Sequence, residues 1–90
     1  MSDKMNGCIN MDGEKLNDIH ITIGQNVAKR RKEFRMSQFD LSIRMGYKSA
    51  SIVAKSELGI EGKHFNIDQL CKIANILDTP IEYFFTNTVK

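Results

Sequence analysis

The sequence predicts an all-α domain, because it combines helix-capping pairs with apolar residues at helical spacing. Thr22, Ser37 and Asn66 are each followed three positions later by Gln or Asp, a pattern typical of helix N-termini. Apolar residues then recur every three or four positions, as expected for one buried helix face. One alternation of isoleucines, over residues 19–23, fits a short strand or an extended lead-in, and we assign it to neither.

The first helix is predicted to begin at Thr22, which forms a capping box with Gln25, and to end near Arg35. Its apolar residues fall on one face: Ile23, Val27 and Phe34. Arg30 interrupts this face. We therefore expect its methylene groups at the edge of the core and its guanidinium in water.

The second helix is predicted to begin after Ser37, with Asp40 as the capping partner. Leu41 and Met45 should face inward, and Gly46 should end the helix.

Two more helices are predicted near the C-terminus. Asn66 with Gln69 begins the first of them, and Asp78 ends it. Its expected buried face consists of Ile67, Leu70, Cys71, Ala74 and Leu77. Pro80 should occupy the first position of the last short helix, where its missing N–H costs nothing. The apolar anchors of that helix are Ile81, Phe84 and Phe85.

The stretch between the second and third of these helices, residues 46–57, has hardly any large apolar residues. Ser49 is a suitable N-cap, and no Gly or Pro interrupts residues 50–57, so we predict a short helix. A helix that is small and polar on its outer face lets its backbone approach base edges in the major groove of DNA. The alternative is a connecting helix without a ligand.

Charge distribution favours a polyanionic partner for this one-domain chain of 90 residues. Residues 23–63 carry nine basic and four acidic side chains, a net charge of +5. The segments on either side are slightly acidic, with net charges of −2 and −1. Positive charge concentrated in the middle of a small domain is typical of nucleic-acid binding.

Other chemistry has little support in the sequence. Cys8 and Cys71 are far apart, which favours two reduced thiols in a cytoplasmic protein over a disulfide. His20 and His64 make no metal-ligand spacing with them. We find no phosphate-binding glycine loop, nucleophile elbow or paired carboxylates, and no apolar run of the about 18 residues that a membrane span needs. We expect no catalytic residues, cofactor, metal or membrane segment.

Several short patterns together carry a resemblance to a known family. They are Met36-Ser37-Gln38, the closing Glu57-Leu58-Gly59, and Leu70 followed by Ile73-Ala74. Over about residues 23–85, the chain resembles the phage-repressor and Cro-like (XRE-type) helix-turn-helix family. The resemblance implies a compact five-helix bundle whose third helix enters the major groove, usually as a dimer on a two-fold operator. The domain is then residues 22–86, between polar tails at 1–21 and 87–90.

Site residues follow from this resemblance position by position. The expected contacts to base edges come from Ala50, Ser51 and Lys55. The expected contacts to the DNA backbone come from Gln38, Lys48, Ser49, Ile52 and Lys63. The resemblance also implies a structural salt bridge between Arg31 and Glu57.

The stretch between Gly46 and Glu57 is one residue longer than is usual in the family, so two registers are possible. Counting forward from Gly46 places Lys55 inward, where an unpaired ammonium is costly. Counting back from Glu57 places Val53 inward and Lys55 outward. We adopt the second register, with Lys48 as the extra residue.

Phe39 and Ile43 occupy second-helix positions that are normally charged in the family, and Ser56 stands where a bulky residue is usual. The two apolar side chains either fill the space left by smaller residues or form an exposed patch for a partner.

The expected function is that of a sequence-specific, double-stranded DNA-binding regulator, a repressor, located in the cytoplasm with the nucleoid. We expect a homodimer formed through Phe84, Phe85 and the C-terminal tail. The alternatives are an antitoxin or a restriction-modification controller of the same fold, and a protein-interaction module that has lost DNA binding and uses Phe39 and Ile43.

Overall fold

The computed structural model describes residues 13–86, which form four α-helices and one 3-10 helix, with no strand in this range. Their bounds in chain order are Gly13–Glu33 (α1), Gln38–Arg44 (α2), Ser51–Leu58 (α3), Ile67–Ile76 (α4) and the 3-10 helix Ile81–Phe85. The all-α prediction is confirmed. Residues 1–12 and 87–90, which belong to the two predicted tails, lie outside the described residues.

The predicted start of the first helix at Thr22 is wrong, because α1 begins at Gly13. Residues 13–21 are helical, and so is the isoleucine alternation at 19–23. A capping pattern shows only that a helix can begin there. Neither Gly nor Pro occurs in residues 14–23, so nothing in this segment interrupts a helix. Each residue by which the helix extends toward its N-terminus adds one backbone hydrogen bond.

The two other capping boxes are confirmed. At the start of α2, Ser37 Oγ accepts a hydrogen bond from the Asp40 N–H at 2.9 Å, and Asp40 Oδ2 accepts one from the Ser37 N–H at 3.2 Å. At α4, Asn66 and Gln69 make the same reciprocal pair at 2.7 and 2.9 Å. Gly46 follows α2 with φ of 98°, a conformation that favours glycine.

The last helix differs from its prediction. Pro80 is the N-cap residue, not the first helical residue, because its ψ of 141° is extended. The helix that follows is a 3-10 helix. Asn26 of α1, which is fully buried, holds it in place: Asn26 Nδ2 donates to the Phe84 carbonyl at 2.9 Å and to the Thr86 carbonyl at 2.6 Å.

All four α-helices, the 3-10 helix and three residues outside the helix bounds contribute to a single core. Its buried apolar side chains are Ile23, Val27, Leu41, Met45, Val53, Phe65, Leu70, Ile73, Leu77 and Phe84. Because Phe84 is fully buried, its predicted role in a dimer contact is wrong for this fold.

Four side chains predicted to be buried are exposed: Phe34, Ile67, Cys71 and Phe85. Phe34 lies in the turn after α1, where helical periodicity no longer applies. Its ring packs against Arg30, whose guanidinium carbon lies 4.9 Å from the ring centroid. The buried stripe runs through Leu70 and Ile73 of α4 and the C-cap residue Leu77, which turns Ile67 and Cys71 outward.

Helices α1 and α3 touch through their backbones at Gly24. A Cβ atom at this position would lie 2.5 Å from the Glu57 carbonyl oxygen and 2.7 Å from that of Ser56. Ser56 is itself buried at this contact. A larger side chain than serine at this position would have to fit beside the backbone contact between the two helices.

His20 of α1 and His64 of the loop before α4 stack on each other, with ring centroids 3.7 Å apart and an interplanar angle of 12°. Burial, and secondarily the charge of His64, lowers the pKa of His20 below 6.5. The folded state therefore favours the neutral form of His20.

We expect the stability of the domain to fall as the pH falls from 8 to 5.5. A lowered pKa means that the folded state binds the His20 proton less readily than the unfolded chain does. The stabilisation is therefore fully present above pH 6.5 and is lost as the pH falls below 6.5 and through the lower pKa of the folded state. In thermal melts, His20→Gln should show a smaller loss of Tm over this range than the wild type. Parallel pH profiles for the two proteins would contradict this.

Candidate nucleic-acid interface

Helix α3 begins one residue later than predicted. Ala50 is the N-cap residue, with φ of −81° and ψ of −2°, and no side chain caps the helix. The expectation that Ser49 caps it is therefore wrong. Because Ala50 already has a helix-like backbone conformation, Ser49 Oγ reaches only the Ser51 N–H, at 3.4 Å.

The inward face of α3 is formed by Val53, Ser56 and Glu57, all of which are buried. The Lys55 side chain is 34% exposed. This is the arrangement that the register counted back from Glu57 requires. At the C-terminal end, Gly59 takes the left-handed conformation with φ of 69°, and its N–H donates to the Lys55 carbonyl at 2.8 Å.

The expected salt bridge between Arg31 and Glu57 is present and joins α1 to α3. Arg31 Nε donates to Glu57 Oε2 at 2.7 Å, and Arg31 Nη2 donates to Glu57 Oε1 at 3.0 Å. The two side chains are only 7% and 4% exposed. The fork-to-fork geometry fixes both the distance and the angle between the groups.

Two further hydrogen bonds extend this pair into a network. Gln38 Nε2 of α2 donates to Glu57 Oε1 at 2.8 Å, and Arg31 Nη1 donates to the Met36 carbonyl at 2.8 Å. One buried carboxylate of α3 is thus held by side chains from both preceding helices. Gln38, the first residue of α2, therefore also helps to hold α3 in position.

The expected DNA-contacting residues lie in four places. Ser51, Ile52 and Lys55 belong to α3, and Lys48, Ser49 and Ala50 belong to the segment immediately before it. Lys63 is exposed in the loop after α3, and Gln38 begins α2. Lys48, Ser49, Ser51 and Lys63 are exposed, whereas Ala50, Ile52, Lys55 and Gln38 are partly buried.

Sequence reasoning missed an ion pair at this surface. Lys55 Nζ lies 2.8 Å from Glu61 Oε1 in the loop that follows α3. The hydrogen bond from Lys55 lowers the pKa of the Glu61 carboxyl. The only signal in the sequence is the pair of glycines, Gly59 and Gly62, that flank the turn and let the chain reverse.

Phe39 and Ile43 do not fill space in the core. Their exposed fractions are 52% and 47%, so the hypothesis that they compensate for smaller core residues is wrong. They lie four residues apart on α2 and form an exposed apolar pair.

Part of the basic character of α1 is neutralised locally. Lys29 and Arg30 each lie 2.9 Å from a carboxylate oxygen of Glu33. Arg30 Nε also donates to Thr79 Oγ1 at 2.8 Å. Its guanidinium, expected in water, is therefore largely engaged by neighbouring side chains.

Comparison of the chain with protein-family models, curated proteins and solved structures gave no match. Within residues 13–86, no helix has the length and apolar character needed to cross a membrane. The same residues contain no cluster of three or more His, Cys, Asp or Glu side chains suited to a metal ion.

Proposed function

We propose that this chain is a sequence-specific, double-stranded DNA-binding regulator in which α2 and α3 form a helix-turn-helix unit. The observation that carries the proposal is the docking of α3 by the buried network of Arg31, Gln38 and Glu57. This network holds a short helix in place, with the polar residues Ser51 and Lys55 on the side away from the buried face. A major-groove helix needs both properties, since its backbone must approach base edges at a fixed angle.

In this proposal the outward residues of α3 and its N-cap residue supply the specificity. Lys55 donates to guanine O6 or N7, Ser51 bonds to a base edge, and Ala50 contacts a thymine methyl group. The flanking side chains Lys48 and Lys63 contact phosphates and fix the register on the duplex. The net charge of +5 over residues 23–63 supports this assignment.

The regulator acts as a repressor and as a homodimer on a two-fold operator. Because Phe84 is buried, the apolar contact between the two copies would come from Phe85, which is exposed on the same 3-10 helix. An antitoxin and a restriction-modification controller are alternatives within this class. Sedimentation analysis of the full chain, with and without Phe85→Ser, tests the dimer contact.

A second candidate function is a protein-interaction module, which the exposed apolar pair Phe39 and Ile43 favours. Titration of the full chain with random-sequence duplex at two salt concentrations separates the two functions. DNA binding requires measurable affinity at low salt that weakens steeply as the salt concentration rises. No affinity at low salt would falsify DNA binding and leave the interaction module.

Replacing Lys55 by alanine should reduce discrimination at one base pair by about 1–3 kcal/mol, because a base contact is lost. The measurement is the affinity of wild type and variant for a selected duplex and its single-base variants. Lys72→Ala on α4, which removes the same charge from an exposed position, serves as control and should leave base preference unchanged. If Lys55→Ala weakens binding equally on all sequences, Lys55 contacts phosphate instead.

A further inference from the structure

The ion pair between Lys55 and Glu61 places a carboxylate beside the ammonium that we assign to base contact. Their Nζ and Oε1 atoms are 2.8 Å apart, and the side chains are 34% and 60% exposed. Ion pairs this exposed contribute little to folding stability. The pair therefore matters less for the fold than for the charge that the surface presents.

The backbone at Glu61 is unusual for a residue with a side chain. Its φ is 56°, in the left-handed region, where glycine or asparagine is preferred. The N–H groups of Gly59 and Ile60 both donate to the Lys55 carbonyl, at 2.8 and 3.2 Å, so the chain turns back over the end of α3. Glycine would suit this backbone better than glutamate, but it would leave Lys55 without its partner.

We infer that Glu61 is a positioning residue that increases sequence discrimination by holding Lys55. This inference rests on the proposed function. An ammonium group has three N–H donors. One of them bonds to Glu61, and the other two remain available for guanine O6 and N7.

The same carboxylate weakens binding to sequences that lack the matching base. Its negative charge repels phosphates on every duplex. A duplex whose base edge accepts a hydrogen bond from the positioned Lys55 offsets this repulsion, and other duplexes do not. Glu61 therefore lowers the affinity for non-specific DNA more than the affinity for specific DNA.

The test compares the full wild-type chain with Glu61→Gln, and with Glu82→Gln as a matched control. Glu82 is exposed on the 3-10 helix, so this variant removes the same charge elsewhere. The probes are a duplex selected by the wild type from a random pool and a random-sequence duplex, each at two salt concentrations. Glu61→Gln should tighten binding to the random duplex and lower the ratio of selected to random affinity by about fivefold. Glu82→Gln should leave the ratio unchanged.

A second comparison isolates the route through Lys55. In a Lys55→Met background, Glu61→Gln should no longer change the ratio, because there is no ammonium to position. An unchanged ratio in Glu61→Gln, or an equal change in Glu82→Gln, would overturn the inference while leaving DNA binding intact. A switch in base preference at one position would also overturn it, since Glu61 would then contact a base itself. If the wild type binds neither duplex at low salt, the proposed function itself fails.

Discussion

Replacing Arg31 by alanine is expected to lower the free energy of unfolding by about 3–5 kcal/mol. The variant leaves the Glu57 carboxylate buried, with Gln38 as its remaining side-chain donor among residues 13–86. A buried charge that has lost its partner retains the full cost of desolvation. For a domain of this size the loss corresponds to a decrease in Tm of more than about 10 °C, measurable by thermal or urea unfolding.

A double variant separates the charge effect from the loss of packing. Arg31→Met with Glu57→Leu replaces both partners by apolar groups of similar length, so no unpaired charge stays buried. It should be more stable than Arg31→Met alone, since apolar replacements of buried ion pairs are often neutral or stabilising. A Tm for Arg31→Ala close to that of the wild type would show that the pair does not hold α3 in solution.

Substituting alanine for Gly24 is expected to destabilise the domain by about 1–3 kcal/mol. In an exposed helix the same change would stabilise by roughly 0.5–1 kcal/mol, because alanine loses less backbone entropy. Here the new Cβ would meet the carbonyl oxygens of Glu57 and Ser56 at 2.5 and 2.7 Å. Backbone atoms cannot move aside by changing rotamer, so α1 and α3 must separate.

The matched control for this variant is Gln25→Ala, at the exposed neighbouring position of α1. It should change the free energy of unfolding by less than about 0.5 kcal/mol. Urea unfolding of both variants provides the measurement. Equal or greater stability of Gly24→Ala would show that the backbones of α1 and α3 do not approach each other this closely in solution.

Features fixed by local chemistry were predictable from the sequence. The capping boxes at Ser37 and Asn66 depend on residues three positions apart, and both formed as expected. The inward position of Val53 followed from helical spacing relative to Glu57. The resemblance supplied the partner of Glu57, since nothing local connects it to Arg31, which lies 26 residues earlier.

Features that depend on how elements meet were not predictable in this way. The capping pattern at Thr22 predicted a helix start that is wrong, because such a pattern can also occur inside a helix that begins earlier in the chain. The approach of α1 to α3 at Gly24 is a tertiary contact. The partner of Lys55 depends on the path of the turn at Gly59, which brings Glu61 back toward the helix.

The residues that hold α3 in the fold are different from the residues that it exposes to solvent. Val53, Ser56 and Glu57 are its buried residues, while Ser51 and Leu58 are exposed. Exposed positions tolerate substitution within about 0.5 kcal/mol when they carry no special contact. The outward residues of this helix can therefore be substituted, and its exposed surface changed, while the helix keeps its position in the fold.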